Sequence, residues 1–338
     1  MAKREKGVRA SAKESAREEP GPVGRRSKRL RLRIAWMYYV EEMTQHEIAE
    51  TLGIGRVTVV RLLSDARALH EVKISLSRDV AELPRLEFAL QKAFGLKEAI
   101  VAPLSSPDAD PTAVIGAATG PFISSLMRAD MKIGVGWGRT LIRSLASIDE
   151  QPLANVSVIS LLGGLTKAKQ YNPSEFAWLF SRLFQAECHL IAAPALVDAP
   201  ETKRALVEHC GLDELFELAG TMDAVLLSVG PVTPDGTPYR LGLISEEDRL
   251  GLAASGAVGD VLYNYFDIDG RLIDHPINQR VMSAPVETMQ AAPVRILTSG
   301  GPTKVDTIIG AMRLLKPTVF ITDEITAANV LARAGHAV

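Results

Sequence analysis

The sequence predicts an N-terminal all-α helix-turn-helix domain followed by an α/β domain with a mainly parallel sheet. Its 338 residues are enough for about two domains. Apolar residues recur at helical spacing near the start of the chain, whereas short β-rich runs alternate with helical stretches in the remainder. A composition of 47% apolar and 23% charged residues excludes a fibrous or wholly disordered chain.

Charge is distributed unevenly along the chain. Residues 1–78 hold 17 Lys and Arg against 10 Asp and Glu, whereas residues 79–338 hold 21 against 30. A basic N-terminal part is typical of a domain that meets a polyanion. Residues 1–28 are predicted to form a disordered basic tail, which serves either as a solubilising arm or as a contact for DNA phosphates.

Cysteine content and apolar runs set the expected compartment. Two cysteines exclude a disulfide framework, and the Cys and His residues lack zinc-ligand spacing. We therefore expect no metal and no cofactor. Because no apolar run approaches the roughly 20 residues of a membrane span and the first residues are charged, a cytoplasmic protein without membrane contact is expected.

Residues 29–78 are predicted to form the helix-turn-helix domain. Apolar residues from Leu30 onward indicate a first helix with one buried face. Thr44 and Glu47 have the spacing of a capping box, so a second helix is expected to start there. Gly53 supplies the positive φ that ends this helix, and a third helix follows.

In a DNA-binding helix-turn-helix the last of these helices lies in the major groove. Four residues near its start are the candidates for base or phosphate contact: Arg56, Val57, Thr58 and Arg61. Thr44 and Gln45, at the start of the preceding helix, are candidates for a phosphate contact. A glycine-turned helical hairpin that does not touch DNA is the alternative interpretation.

Several motifs resemble the SorC/DeoR-type sugar-responsive transcriptional regulators. The helix-turn-helix carries one of them, with Gly55 where the family usually has a Ser cap. The others follow in the family's order and spacing, at residues 134–140, 161–166, 256–260, 300–304 and 321–324. The motif Leu-Leu-Gly-Gly-Leu-Thr at residues 161–166 is similar to the motif found at this place in regulators of polyol catabolism of the erythritol type.

Residues 79–96 are predicted to form an amphipathic linker helix, with a plain packing helix as the alternative. Residues 97–338 are then expected to form the effector-binding and oligomerisation domain. The predicted strands lie at residues 99–102, 133–137, 156–162, 190–194, 224–229, 294–298 and 318–322.

Glycine-rich strand ends are the candidate ligand loops, because ligands bind off the carboxyl ends of parallel strands. One loop has the spacing of neither a dinucleotide fingerprint nor a Walker motif, yet it can cradle an anion through Gly136, Gly138, Arg139 and Thr140. A turn whose Arg139 points to solvent is the alternative. Two further loops have a similar character. One contains Gly163, Gly164, Leu165 and Thr166, and the other contains Lys304.

The family resemblance implies an effector domain with a fold like that of phosphosugar isomerases, which binds a phosphorylated sugar or polyol. It implies that Lys304 and the loop of Gly163, Gly164, Leu165 and Thr166 face the phosphate, and that Asp260 faces sugar hydroxyls. Asp260 and Asp323 have the alternative of capping local turns. Asn172 is either a hydroxyl contact or a turn residue.

The function expected from these observations is control of a carbohydrate or polyol catabolic operon. The expected partners are double-stranded operator DNA, a phosphorylated effector and further copies of the chain in a homodimer or homotetramer. One alternative is a sugar-phosphate isomerase-like enzyme with a DNA-binding appendage, although its candidate acids lack a partnered His or second carboxylate. Another is a C-terminal domain that serves assembly only.

Overall fold

The computed structural model describes residues 22–69, 71–72, 83–106, 108–166, 172–234 and 236–336. The chain divides into two compact units, Met1–Leu76 and Ser77–Val338. Within the described residues, no helix combines the length and apolar character needed to cross a bilayer.

The N-terminal unit is all-α and consists of α1 (Pro22–Tyr39), α2 (Gln45–Leu52) and α3 (Arg56–Ala68). The three helices pack around one small apolar cluster, in which Ile34, Ile48 and Val59 are fully buried. A bidentate ion pair from Arg31 to Glu71, at 2.7 and 2.6 Å, ties α1 to the segment after α3. The predicted helix-turn-helix is therefore confirmed.

The first helix starts earlier than predicted. Residues 22–28 are helical, whereas we expected them to belong to a disordered tail. Pro at the first helical position has a φ suited to a helix start, and Arg, Lys and Leu are good helix formers, so the helix extends backward from the buried segment. The rest of the predicted tail, residues 1–21, lies outside the described residues.

The second unit is an α/β domain around a seven-stranded sheet with the order β1-β10-β9-β5-β2-β3-β4, in which every pairing is parallel. Its strands are β1 (Glu98–Ala102), β2 (Lys132–Val135), β3 (Ser157–Ser160), β4 (Glu187–His189), β5 (Ala224–Leu227), β9 (Val294–Thr298) and β10 (Val319–Asp323). Two apolar clusters cover the two faces of this sheet.

A second, three-stranded antiparallel sheet was not predicted. It contains β6 (Gly230–Pro231), β7 (Ala257–Val261) and β8 (Asn264–Asp267). The helices of this unit are α4 (Leu83–Phe94), α5 (Thr112–Leu126), α6 (Arg139–Ser144), α7 (Pro173–Phe184), α8 (Pro200–His209), α9 (Leu212–Ala219), α10 (Thr237–Arg240), α11 (Glu246–Ala254), α12 (Pro276–Arg280), α13 (Val286–Ala291), α14 (Val305–Leu315) and α15 (Glu324–Arg333).

The strand predicted at residues 190–194 is wrong. Pairing occurs earlier, at Glu187–His189, where β4 forms the edge of the sheet. An edge strand faces solvent on one side and tolerates polar residues, so β4 lacks the apolar signature that the prediction relied on. The apolar residues that follow it, including the buried Ile191, pack instead in a small separate cluster with Met282.

Helix α4 behaves as the alternative interpretation of residues 79–96 described it. Leu83, Leu86 and Leu90 are buried in the main core of the α/β unit. The Glu87 carboxylate also accepts a hydrogen bond from the Val101 N–H of β1, at 3.0 Å. The described part of this segment is thus a packing helix of the second unit, and residues 79–82 lie outside the described residues.

Candidate functional site

The corner of the helix-turn-helix is held by backbone geometry. Thr44 Oγ1 accepts from the Glu47 N–H, and the Glu47 carboxylate accepts from the Thr44 N–H at 2.7 Å, so the predicted capping box is present. Gly53 has a φ of +62° and ends α2 in the left-handed conformation. The Ile54 N–H then donates to the Ala49 carbonyl at 3.0 Å, which turns the chain sharply into α3.

The outward face of α3 carries the predicted reading residues. Arg56, Val57 and Arg61 are exposed, and Val57 is 84% exposed, so all three side chains are accessible to a binding partner. Thr58 is only partly exposed. Val60 shares the exposed face and was missed, because its neighbour Val59 carries the apolar signal of the buried face.

Thr44 and Gln45, predicted to contact a phosphate at the start of α2, are less available to an anion than the exposed residues of α3. The Thr44 hydroxyl donates to the Glu47 carboxylate at 2.7 Å, so that hydroxyl is occupied and a negative charge lies beside it. The hydrogen bonds from the Thr44 N–H and hydroxyl hold the pKa of Glu47 below its usual value. A phosphate would meet this carboxylate, whereas Gln45 is partly exposed next to it.

In the second unit, a cleft lies where the strand order reverses. From β2 the chain continues outward through β3 and β4, and it then returns to the other side of β2 as β5. Open parallel sheets bind ligands outside the carboxyl ends of strands at such a switch point. We call this the switch-point cleft; it has a volume of ≈ 90 Å³ and is lined by Trp137, Gly138, Arg139, Ser228, Val229, Gly230, Pro231, Thr237, Pro238, Asp260, Leu262, Tyr263, Thr303 and Lys304.

One wall of the cleft is a strained hairpin between β7 and β8. Leu262 and Tyr263 form its turn with φ values of +50° and +64°, a conformation that side chains other than Gly, Asn and Asp rarely adopt. The Asn264 amide steadies the turn by donating to the carbonyls of Val261 and Leu262, each at 3.1 Å. Both turn residues line the cleft. The rings of Tyr263 and Trp137 pack edge-to-face there, with their centroids 6.1 Å apart.

Asp260 is the most deeply buried carboxylate of the cleft, with 5% of its surface exposed. Its Oδ2 accepts from the Tyr263 N–H at 2.9 Å, whereas its Oδ1 is buried without a hydrogen-bond partner among the described residues. Burial raises the pKa of Asp260 to about 7, against the opposing effects of the Tyr263 hydrogen bond and the Lys304 charge. An unsatisfied oxygen in a cleft is suited to a ligand hydroxyl or a water.

Lys304 supplies the cation of the cleft. Burial of its ammonium group lowers its pKa to about 8, and the positive charge of Arg139 acts in the same direction. Asp260 and Asp110 oppose this shift. Its Nζ donates to Ser299 Oγ at 3.4 Å. Lys304, which is partly buried, and Arg139, which is exposed, disfavour each other's positive charge, and an anion bound between them would reduce this repulsion.

The structure brings four of the predicted effector residues into the cleft: Gly138, Arg139, Asp260 and Lys304. Gly138 has a φ of +141°, which explains why a glycine precedes Arg139. Gly136 and Thr140, from the same loop, are buried and do not line the cleft within the described part of the chain. The Gly136 N–H donates to the Leu226 carbonyl at 2.8 Å and thereby continues the sheet.

The predicted loop at residues 163–166 is not brought to the cleft. Its N–H groups are already engaged: that of Gly163 donates to Met282 O and that of Gly164 to Ala193 O, each at 2.8 Å, and that of Leu165 donates to the Asn172 side chain at 3.4 Å. Thr166 is exposed, and residues 167–171 lie outside the described residues. These three N–H groups are therefore already bonded within the fold, and the contact of this loop with a phosphate stays a prediction.

Asn172 and Asp323 follow the alternative interpretation of turn residues. Asn172 caps α7 and also donates to the Leu165 carbonyl at 3.0 Å. Asp323 caps α15 by accepting from the Thr326 N–H at 2.8 Å. Both side chains are committed to local structure, and neither lines the cleft within the described chain.

Several lining residues were missed by sequence reasoning. Ser228, Thr237 and Thr303 line the cleft and carry hydroxyl groups, and Trp137 lines it while 9% exposed. Ser228 directly follows the apolar run of β5, so the strand-end rule could have found it. Thr237 reaches the cleft from α10, and no local pattern indicates this.

Two family models match this chain, one in each unit. The family model of the sugar-binding domain matches residues 78–332, which is most of the chain and includes all the cleft-lining residues. The model of sigma-70 region 4, a helical DNA-binding module, matches residues 31–69. The chain belongs to the SorC/DeoR-type sugar-binding regulators. It is a DNA-binding transcriptional regulator with an N-terminal helix-turn-helix and a sugar-binding domain.

Relatives of this regulator span nearly the full chain. The deoxyribonucleoside regulator of Bacillus subtilis is 28% identical over 90% of this chain and 98% of its own. The erythritol catabolism regulatory protein EryD of Brucella abortus is 27% identical over 90% of this chain and 96% of its own. The crystal structure of the full-length sorbitol operon regulator SorC of Klebsiella pneumoniae, 28% identical, matches with a TM-score of 0.68 over 90% of this chain and 98% of its own.

Proposed function

We propose that this regulator responds to a phosphorylated sugar or polyol bound in the switch-point cleft, and that it controls a carbohydrate or polyol catabolic operon. One observation carries the proposal: the cleft holds the Lys304 cation together with Asp260 Oδ1, which has no hydrogen-bond partner among the described residues. A phosphosugar offers the complementary groups, since it has an anion at one end and hydroxyl donors along the rest.

The phosphate end is assigned to Lys304 and Arg139. Arg139 depresses the pKa of Lys304, so an anion between the two would stabilise both charges. Helix α14 begins at Val305, directly after Lys304, and its eleven residues add a positive dipole end to the same region. Thr303 adds a hydroxyl to the cleft.

The hydroxyl end is assigned to Asp260, with help from Ser228 and Thr237. Asp260 Oδ1 has a free acceptor position, and the two hydroxyl groups can both donate and accept. A site built to hydrogen-bond a hydroxyl discriminates strongly against a ligand that lacks it, because the buried group is then left unpaired. The order of hydroxyl groups along the ligand is therefore the expected source of specificity.

DNA reading is assigned to the exposed face of α3. Arg56 and Arg61 can each form a paired hydrogen bond with guanine, and Val57 can contact a thymine methyl group. We propose that the protein acts in the cytoplasm as a homodimer or homotetramer assembled through its α/β unit. Effector binding then changes the oligomeric arrangement and so the spacing of paired helix-turn-helix motifs on the operator.

The energy required for this response is modest. A ligand that binds one oligomeric arrangement about 100-fold more tightly than the other changes the free-energy difference between the two arrangements by about 2.7 kcal/mol. A single charge-assisted contact to a phosphate is of that size. The names of relatives that refer to sorbitol and erythritol support the assignment of a sugar or polyol operon.

The test uses the full-length protein on DNA of its own promoter. Phosphorylated sugars and polyols, each beside its unphosphorylated counterpart, are added while operator binding is followed by fluorescence anisotropy. We expect one phosphorylated compound to change operator affinity and to raise the thermal midpoint of the wild type. Lys304→Met should bind the operator normally and show neither response.

Two results would contradict this proposal. An unphosphorylated compound that acts as well as its phosphate ester would remove the role of Lys304, and a response retained in Lys304→Met would do the same. The same panel incubated with the protein alone tests the enzyme alternative, because isomerisation of any compound would show that the cleft is catalytic.

A further inference from the structure

Helix α1 and the residue that follows it, Val40, expose an apolar stripe that the helix-turn-helix fold does not use. Leu32, Trp36 and Val40 are 40%, 58% and 56% exposed. Their spacing of four residues places them on one line along the helix. Ile34 and Met37, which are buried in the cluster that joins the three helices, lie on the opposite side. The stripe therefore contributes nothing to the core of the unit.

Charge is also ordered along this helix. The part before the stripe is basic, with Lys28, Arg29 and Arg33 exposed. The residues just past its end are acidic, with Glu41 and Glu42 exposed. The negative end of the helix dipole lies at the acidic side. A surface with a basic half and an acidic half on either side of an apolar centre is complementary to itself when one copy is reversed.

We propose that this stripe pairs with the same stripe of a second copy of the chain, with the two α1 helices antiparallel. A two-fold axis near Trp36 would place Leu32 against the partner's Val40 and Trp36 against the partner's Trp36. Arg29 and Arg33 would then lie beside the acidic end of the partner's helix. An isologous contact of this kind requires a self-complementary surface, which the charge order supplies.

The size of the stripe limits what the contact does. Three partly exposed side chains bury far less than the roughly 1,200 Å² of a stable independent interface. The pairing therefore fixes the orientation of two copies that are held together elsewhere. It would relate the two α3 helices by a two-fold axis, so the two half-sites of the operator would be inverted repeats of each other. This goes beyond the proposed function, because it does not depend on the effector.

The first experiment traps the contact in the full-length protein. In a Cys188→Ala, Cys210→Ser background, Trp36→Cys lies near the proposed axis, where two sulfurs can approach within disulfide distance. Glu50→Cys, exposed on α2, is the matched control. Mild oxidation should give a covalent dimer with Trp36→Cys and little with Glu50→Cys. Equal cross-linking of the two variants, or none with Trp36→Cys, overturns the pairing.

The second experiment exchanges charge between two co-expressed chains. One carries Arg29→Glu and Arg33→Glu, and the other carries Glu41→Lys and Glu42→Lys. Each chain alone juxtaposes like charges in the proposed pair, so its affinity for the full operator should fall by about tenfold or more. The mixed pair restores opposite charges at both contacts and should recover most of that loss.

The exchange also separates the pairing from other uses of the stripe. If Arg29 and Arg33 contact DNA phosphates, the loss remains in the mixed pair, because no partner charge can restore a phosphate contact. If the stripe packs on the α/β unit of its own chain, mixing has no effect either. Absence of recovery in the mixed pair would therefore contradict the proposal, even if Trp36→Cys fails to fold.

Discussion

Helix α3 presents the residues proposed to read DNA from one run, residues 56–61, whereas the switch-point cleft draws its lining from five separate segments between residues 137 and 304. The first surface depends on one helix and one sharp corner. The second depends on a seven-stranded sheet, a strained hairpin and a loop that meet only in the folded chain. Local motifs can therefore identify the first surface, and the second requires knowledge of the topology.

The two regions also differ in how they hold charge. Arg56 and Arg61 are exposed, so a polyanion would contact them with little desolvation, and the strength of such contacts would depend on salt concentration. Asp260 and Lys304 have pKa values shifted toward neutrality by burial. A ligand in the cleft therefore interacts in a low-dielectric environment, where single substitutions have larger effects.

The largest expected effect is the loss of effector binding in Lys304→Met. Removal of a buried charge that pairs with a phosphate should weaken effector affinity by about 100- to 1,000-fold, or about 3–4 kcal/mol. Isothermal titration of the effector found in the panel measures this. Lys92→Met, an exposed lysine of α4, is the control and should bind normally. A loss of less than about fivefold would place the phosphate elsewhere.

The next effect is a pH dependence of stability that is assigned to Asp260. Its pKa in the folded state, about 7, exceeds the 3.8 of a free carboxyl group, so the folded state holds this proton more tightly. The stability that it contributes is full below about pH 4 and is lost as the pH rises toward 7. Asp260→Asn removes the ionisable group and with it this loss. We therefore expect the free energy of unfolding of the variant, relative to that of the wild type, to be about 2–3 kcal/mol higher at pH 8 than at pH 5.

Chemical unfolding of both proteins at the two pH values measures the difference. Lys304 and Tyr263 both act on this carboxyl group, so Lys304→Met is the matched control. The pKa of Lys304 is lowered from 10.5 to about 8. The stability that Lys304 contributes therefore increases with pH between about pH 8 and pH 10.5, which is opposite in sign to the effect of Asp260 and lies above the two measured pH values. An equal effect of Asp260→Asn at pH 5 and pH 8 would contradict the burial argument.

These differences explain what the sequence could predict. The capping box of Thr44 and Glu47 and the corner at Gly53 involve residues close in sequence, so spacing alone predicted them. Asp260 and Lys304 were assigned to a ligand by family resemblance. Their burial, and the Asp260 oxygen that lacks a partner in the described part of the chain, depend on residues more than 40 positions apart, so no local pattern indicates them.

The differences between prediction and structure have the same cause. The loop at residues 163–166 has the composition of an anion cradle, but its N–H groups are used by the carbonyls of Ala193 and Met282, from distant segments. The apolar run at residues 190–194 indicates burial, whereas strand pairing occurs in the polar residues just before it. Composition predicts which residues are buried or flexible, and it does not predict which backbone groups are already bonded.

A smaller effect is expected on the exposed surface of α3. Arg56→Ala and Arg61→Ala should each weaken operator binding by about 1–3 kcal/mol if they contact bases, and should leave effector binding unchanged. Arg67→Ala, exposed in the last turn of the same helix, is the control and should have a smaller effect. Anisotropy on operator and on scrambled DNA measures both. Equal losses on the two DNAs would assign these arginines to phosphates.

The smallest effect compares the same backbone change in the two units. Gly53 and Gly95 have φ values of +62° and +67°, and an added Cβ at either position would meet nothing within 4 Å. Alanine at each is therefore penalised only by the left-handed conformation, at about 1 kcal/mol. The local stability loss should be equal, and hydrogen exchange in the flanking helices, α2 and α4, measures it for each unit.

Operator binding then separates the two positions. Gly53→Ala strains the corner that sets α3 against α2, so we expect operator affinity to fall by about threefold to tenfold, the size of that 1 kcal/mol loss. Gly95→Ala strains the end of a packing helix and should leave operator affinity unchanged. Gly53→Asn should recover most of the binding, because Asn tolerates a positive φ. If Gly95→Ala weakened operator binding as much as Gly53→Ala, the corner at Gly53 would have no special role in DNA reading.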